Sequence, residues 1–332
     1  VNGAVDAVAQ IAAYEEGVDP APTEATYAAA GVDGVTDANV AAVNSALAAA
    51  TDANSNSLGE IQALTNAMLE VLAGAAGGEG LPSAEALALL GIDITDPANL
   101  TAVQAAIAAT DPDGSGVSTL ADLQGVVDDG LIAAAAALDV ISAYEGGVAD
   151  TVPTEQDYTT AGVTGVEAAD LALLNDVAAN LAAAGTDTAA ELQPLADAAS
   201  GITAALAGTA GEPSLADLEA LGIGFVTEAT LPAVQAAIAG ADAGDVDSLS
   251  ELSTLAAAAF TVAGPALAEI SAYEGTGEAP SVQDYIDAGV TDVSLSNIDA
   301  VNALIAPLGP DATNSPAQLQ DIVDGLNGVI AG

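Results

Sequence analysis

Residues 11–44 read IAAYEEGVDPAPTEATYAAAGVDGVTDANVAAVN, and the frame returns from Ile141 and again from Ile270. Ile11, Tyr14 and Glu15 recur as Ile141, Tyr144 and Glu145, then as Ile270, Tyr273 and Glu274, at spacings of 130 and 129. Behind each comes Pro with Thr or Ser, then a second Tyr, then a glycine: Pro22-Thr23, Tyr27 and Gly31; Pro153-Thr154, Tyr158 and Gly162; Pro280-Ser281, Tyr285 and Gly289. A half-period lies inside, where Leu81-Pro82-Ser83 leads to Gly91 and Glu212-Pro213-Ser214 leads to Gly222. Self-similarity at a fixed period is the signature of stacked small units. The marker glycines 31, 91, 162, 222 and 289 divide the chain into five half-repeats alternating A-B-A-B-A.

Each half-repeat reads as three helices. The first is short and N-capped by the Ser or Thr after Pro, with Asp three residues on at Ser214/Asp217, Thr154/Asp157 and Ser281/Asp284, a capping-box pattern. Its stop is the marker glycine, the residue favoured just past a helix end. The second carries Val40, Val43 and Leu47, repeated as Leu100, Val103 and Ile107 and as Leu231, Val234 and Ile238, one apolar stripe at helical spacing. The third begins after a polar loop, with Leu58, Ile61, Leu64 and Leu69 matched by Leu120, Leu123 and Val127. In A halves it ends in Gly74–Gly80 or Gly208–Gly211; in B halves it runs on, from about Leu120 to Tyr144, so that one helix serves two modules. Gly264-Pro265 is expected to kink the second of these long helices. The expected fold is therefore all-α, a linear array with segments 1–77, 78–140, 141–208, 209–269 and 270–332, each touching mainly its neighbours. The chain starts and stops at one phase of the third helix, which reads as a window on a longer array or as end helices completed by neighbours.

Composition narrows function. The 332 residues include no Lys, Arg, His, Cys or Trp, 48 Asp and Glu, and a formal charge of -48. Ordinary usage would give about 40 Lys and Arg. Without them there is no imidazole, thiolate, amine or guanidinium for catalysis or for holding phosphate. Binding to nucleic acid, ATP or anionic lipid is close to excluded. No run of 18 or more apolar residues escapes interruption, so no membrane insertion is expected, and no signal peptide is legible at Val1-Asn2-Gly3. About a quarter of the chain is Ala and only 2% is aromatic, which favours thin helices packed closely.

Candidate sites are few. The loop from Asp111 to Asp122 fits EF-hand spacing, with Asp111, Asp113 and Ser115 at positions 1, 3 and 5, a Val117 carbonyl at 7 and Asp122 at 12. Calcium is the cation it would take, although position 12 is Asp where a bidentate Glu is usual and Ser118 stands where an apolar residue is common. The competing reading is a polar interhelical turn. Thinner versions lie at Asp52, Asn54 and Asn56, at Asp242, Asp245 and Asp247, and around Asp187. The six tyrosines read either as an aromatic platform for sugar or as core knobs whose hydroxyls reach backbone carbonyls. Glu15-Glu16 and Asp128-Asp129 are adjacent on a helix, point about 100° apart and so do not face one another. Asn99-Leu100-Thr101 is one glycosylation sequon, as chance allows.

The pattern from Ile11 to Asn44 and from Ile270 to Asn302 resembles the Ala-rich tandem repeats of very large bacterial extracellular proteins, including RTX-type adhesins exported by type I secretion. The resemblance covers essentially the whole chain and implies a place outside a Gram-negative cell, with calcium as the cation. Two features depart from it: there are no Gly-Gly-x-Gly-x-Asp nonapeptides and no anchor signal. The expectation is an extracellular structural protein, not an enzyme: a stiff, acidic stalk or self-assembling surface filament for adhesion or biofilm. Its partners would be itself, end to end through terminal helices, or the continuing polypeptide. A calcium-binding module of a surface layer or adhesin is the alternative.

Overall fold

A computed structural model describes residues 2–14, 20–50, 55–77, 80–144, 151–181, 185–209 and 212–331. The fold is all-α, with sixteen α-helices and no strand among the described residues. In chain order they are α1 (Asn2–Ala12), α2 (Glu24–Ala30), α3 (Val40–Ala49), α4 (Leu58–Ala75), α5 (Ala84–Leu89), α6 (Pro97–Ala108), α7 (Leu120–Ala143) and α8 (Glu155–Thr160). Then follow α9 (Leu171–Asn180), α10 (Ala189–Leu206), α11 (Leu215–Ala220), α12 (Leu231–Ala239), α13 (Leu249–Ala272), α14 (Val282–Asp287), α15 (Ile298–Ile305) and α16 (Pro316–Ala331). Short 3₁₀ turns at Ser115–Val117, Ala243–Asp245 and Pro310–Ala312 lead towards α7, α13 and α16.

The short helices α2, α5, α8, α11 and α14 have six or seven residues, well below the length at which an isolated helix persists. Their ends are therefore fixed by side chains. Thr23, Ser83, Ser214 and Ser281 accept from the backbone N–H three residues on, at 3.3, 3.1, 3.2 and 3.3 Å. Asp217 and Asp284 return the bond to the cap N–H at 2.7 and 2.6 Å, closing capping boxes. At the other end all five marker glycines are left-handed, with φ between 79° and 90°. The next N–H then reaches back five residues: Val32 to Tyr27, Ile92 to Leu87, Val163 to Tyr158, Ile223 to Leu218 and Val290 to Tyr285, all at 2.8–2.9 Å. This is the Schellman closure.

Two of those glycines do more. A Cβ on Gly162 would lie 2.5 Å from the Ala98 carbonyl oxygen, and one on Gly289 would lie 2.4 Å from the Ala233 nitrogen. Helix backbones thus pass too closely there for any side chain, the consequence of building with Ala-rich helices.

Contacts divide the chain into two units, residues 1–141 with 156–164, and 142–155 with 165–332. In the first, one apolar cluster joins Ile11, Tyr27, Val43, Leu47, Ile61, Leu64, Met68, Val71, Leu87, Val103, Ile107, Leu123 and Val127. In the second, Ile270, Tyr285, Val290, Val301, Ile305, Leu319 and Val323 form another cluster. The second-helix stripes are the buried ones: Val43, Val103, Ile107, Val234 and Ile238 are wholly covered. Each such aliphatic side chain contributes about 1.5–3 kcal/mol by leaving water.

The long helices α7 and α13 each run 24 residues unbroken. Their starts are tied to another helix: Leu120 N–H donates to Ser45 Oγ at 3.1 Å, and Leu249 N–H donates to Asp176 Oδ2 at 2.8 Å. Pro265 sits inside α13, and Pro194 inside α10, without ending either helix. Helix α13 is also long and apolar enough to cross a membrane by length and composition, with mean hydropathy 1.5. The average rests on its Leu, Ile, Val, Phe and Ala residues: Leu252, Ala256, Ala263, Leu267 and Ile270 pack inside, while Ala257, Ala258, Thr261 and Val262 are exposed.

Candidate functional site

The Asp111–Asp122 loop begins where α6 ends. Gly114, at φ 75°, lets its N–H return to the Asp111 carbonyl at 2.9 Å. The Asp113 carboxylate accepts from Ser115 N–H at 2.9 Å, an Asx turn. Val117 lies in the 3₁₀ turn with its side chain buried. Asp122 sits in the first turn of α7, and its Oδ2 accepts from the Thr119 hydroxyl at 2.7 Å, Thr119 N–H at 3.1 Å and the Ser118 hydroxyl at 3.2 Å. Thr119 Oγ1 in turn accepts from Asp122 N–H at 3.1 Å. The structure therefore joins Asp113 to Ser115 and Asp122 to Ser118 and Thr119. The Ser115 bonds hold the Asp113 carboxyl below its usual range, and the Thr119 hydroxyl does the same for Asp122. No three carboxylates are grouped so as to hold a metal ion among the described residues. Asp52 and Asn54 lie outside the described residues, as do Glu15 and Glu16.

Thr119 and Asp122 belong to a second capping family, at the starts of the long helices. Ser57 with Glu60 closes the same box, and Thr188 with Glu191 and Ser248 with Glu251 share its side-chain bonds. The sequence signal for these caps is Ser or Thr followed three residues later by Asp or Glu, at the end of each polar loop.

The tyrosines separate into two classes. Tyr27, Tyr158 and Tyr285 are completely buried, whereas Tyr14, Tyr144 and Tyr273 are half-buried. The hydroxyls of Tyr27 and Tyr285 do not go directly to backbone carbonyls as expected. Tyr27 donates to Asn44 Oδ1 and Tyr285 to Asn302 Oδ1, both at 2.7 Å. The amides then donate to carbonyls at the chain's turns: Asn44 to Pro22, Asn175 to Pro153 and Asn302 to Pro280, at 2.8–2.9 Å. Where the Tyr position holds Leu87 or Leu218, the Asn position holds Gln. Gln104 donates to the Pro82 carbonyl at 2.8 Å and Gln235 to Pro213 at 2.9 Å. A phenol with a short amide and an aliphatic chain with a long amide are two solutions to one problem, pinning the turn before the first helix. Burial pushes the phenols of Tyr27 and Tyr285 well above the ordinary tyrosine range.

An open cavity of about 730 Å³ lies beside this network in the second unit. Tyr144, Asn175, Asp176, Asn180, Asp247 and Ser248 line it. A hydrogen bond to Glu251, with the charges of Glu251, Asp176 and Asp245, raises the Asp247 carboxyl; Glu191 does the same to Asp187. With carboxylates on its wall and no cation in the chain, this space can take a polyol or a hydrated cation and repels an anion.

Compared with protein-family models, curated proteins and solved structures, the chain matches none.

Proposed function

We propose that this chain is a structural extracellular repeat protein, a stiff acidic spacer of a bacterial surface adhesin or filament. On this reading five three-helix half-repeats alternate, A-type at 1–77, 141–208 and 270–332, and B-type at 78–140 and 209–269. The observation that carries the reading is recurrence. One device, a Ser/Thr-capped short helix closed by a left-handed glycine and pinned through an Asn or Gln to a Pro carbonyl, is used over and over. Units of this kind bury their apolar faces only against neighbours, so such a sequence specifies length. Catalysis and nucleic-acid binding have no part in it, because the chain holds no cation, imidazole or thiol. The absence of Lys and Arg removes every site for trypsin-like proteases, and uniform negative charge opposes non-specific association. Self-association would run end to end, through terminal helices or the continuing polypeptide.

Negative-stain micrographs at seawater-like ionic strength, with calcium and with a chelator, test this reading. Uniform fibres or single rods support it, and fibres lost on chelation would place calcium at the joints. Compact round particles under both conditions overturn it.

A further inference from the structure

The third helices of the A-type segments share one register. Gln62 accepts from Asp33 N–H and Gln320 from Thr291 N–H, both at 2.8 Å, so α16 superimposes in sequence on α4, and on α10 through Gln193. In α4 the face made by Ala67, Met68 and Val71 is buried, with Met68 and Val71 fully covered. In α10 the matching Ala198, Ala199 and Ile202 are all at 0% exposure. In α16 the same positions are Gly325, exposed; Leu326, half-buried; and Val329, 79% exposed. The wholly buried members of the cluster around α16 end at Val323, and Leu326 packs against it only partly covered. Leu304 on α15 repeats the story: it is 43% exposed, where Ala46 is at 3% and Val177 at 2%. Helix α16 keeps the apolar register of a covered helix.

What covers that face elsewhere is given by the chain itself. Helix α4 packs on α5 and α6, and α10 packs on α11 and α12. A Cβ on Gly74 of α4 would meet Pro82 at 3.0 Å and Ile107 at 3.5 Å. We propose that the Leu326–Val329 face of α16 is a docking surface for a B-type half-repeat, its occupant a Ser-capped short helix and an Ala-rich helix built like residues 81–108. The surface continues, in register, an interface made twice in this molecule. A second copy of the chain is a poor occupant, because the helices of its own B-type segments are already spent on its own α4 and α10, and both copies carry -48. The inference rests on the A-B reading of the repeats.

The test is a chain extended at its own phase. Gly332 matches Gly74 in register, so a copy of residues 75–143 is appended directly after Gly332. Amide exchange across 322–331 is compared with that of the 332-residue chain, and Val329→Asp is made in both. Exchange in α16 slowed at least about tenfold by the extension, with Val329→Asp abolishing the slowing and lowering the melting temperature of the extended chain alone, is the expected result. Equal exchange in both chains, or an appended segment that stays unprotected, overturns the docking surface. That failure is separable from failure of the spacer reading, which the micrographs of the unextended chain decide.

Discussion

Exchanging the Tyr–Asn pair for the Leu–Gln pair offers a quantitative check on how the turns are pinned. In the first segment Tyr27 reaches Asn44 at 2.7 Å, and Asn44 reaches the Pro22 carbonyl at 2.9 Å. Tyr27→Leu alone removes the donor to Asn44 Oδ1, leaving a buried acceptor unmet at about 1–3 kcal/mol. The smaller side chain adds a cavity, so the expected loss is about 2–4 kcal/mol. Asn44→Gln alone forces an extra methylene against the ring and costs about 1–3 kcal/mol. The double variant recreates the arrangement of Leu87 and Gln104, where the amide alone spans 2.8 Å to Pro82. Its loss is expected to fall short of the sum of the single losses by at least about 1 kcal/mol, a coupling typical of contacting residues. Urea melts followed by circular dichroism, with amide exchange in α2 and α3 to localise the effect, measure all four corners of the cycle. Additivity within about 0.5 kcal/mol would refute the idea that the two pairs are alternative solutions.

Four further outcomes follow from named positions. Thr65 Oγ1 is buried without a hydrogen-bond partner, and Val323 occupies the matching place in α16, so Thr65→Val is expected to raise stability by about 1 kcal/mol in urea melts. Gly91→Ala meets open space at φ 80° and is expected to cost about 1–2 kcal/mol; Gly289→Ala, with its Cβ 2.4 Å from Ala233 N, is expected to cost clearly more. Thermal melts are expected to rise steadily with NaCl from about 0.01 to 1 M, as the screening length falls from roughly 30 to 3 Å, because every side-chain charge pair here is repulsive. Burial raises the phenols of Tyr27 and Tyr285 in the fold, so their contribution is complete below the unfolded value of about 10 and is lost as pH climbs above it, at about 1.4 kcal/mol per pH unit for each phenol. A pH titration of stability that stays flat between about 10 and 12 would count against that burial.

Much of the local architecture was legible because this chain writes its boundaries in chemistry that acts locally. Ser or Thr after Pro, the glycine after the short helix, and the stripe Val103 and Ile107 each fix an element within a few residues, and the helices lie where those signals put them. The run-on from Leu120 to Ala143 was legible too, since no glycine cluster interrupts it. What was not legible depended on partners distant in sequence. The hydroxyl of Tyr27 goes to an Asn side chain 17 residues on and not to a backbone carbonyl, and the co-exchange of Tyr with Leu and Asn with Gln was the available clue. Spacing alone also does not say how the carboxylates of the Asp111–Asp122 loop are engaged in the fold, where Asp122 caps α7 through Thr119. The exposure of Leu304 and Val329 is likewise visible only in the fold.

The central claim is that the sequence is a phase-repeating array, and removal of one whole A-B period tests it most directly. Joining Gly91 to Ile223, with residues 92–222 deleted, links two identical phases of the repeat. The account predicts that the shortened chain is soluble, keeps the same helicity per residue by circular dichroism, and retains slow amide exchange at Val103-type positions such as Val234. Loss of helicity, or exchange as fast as in an unfolded chain, would contradict it.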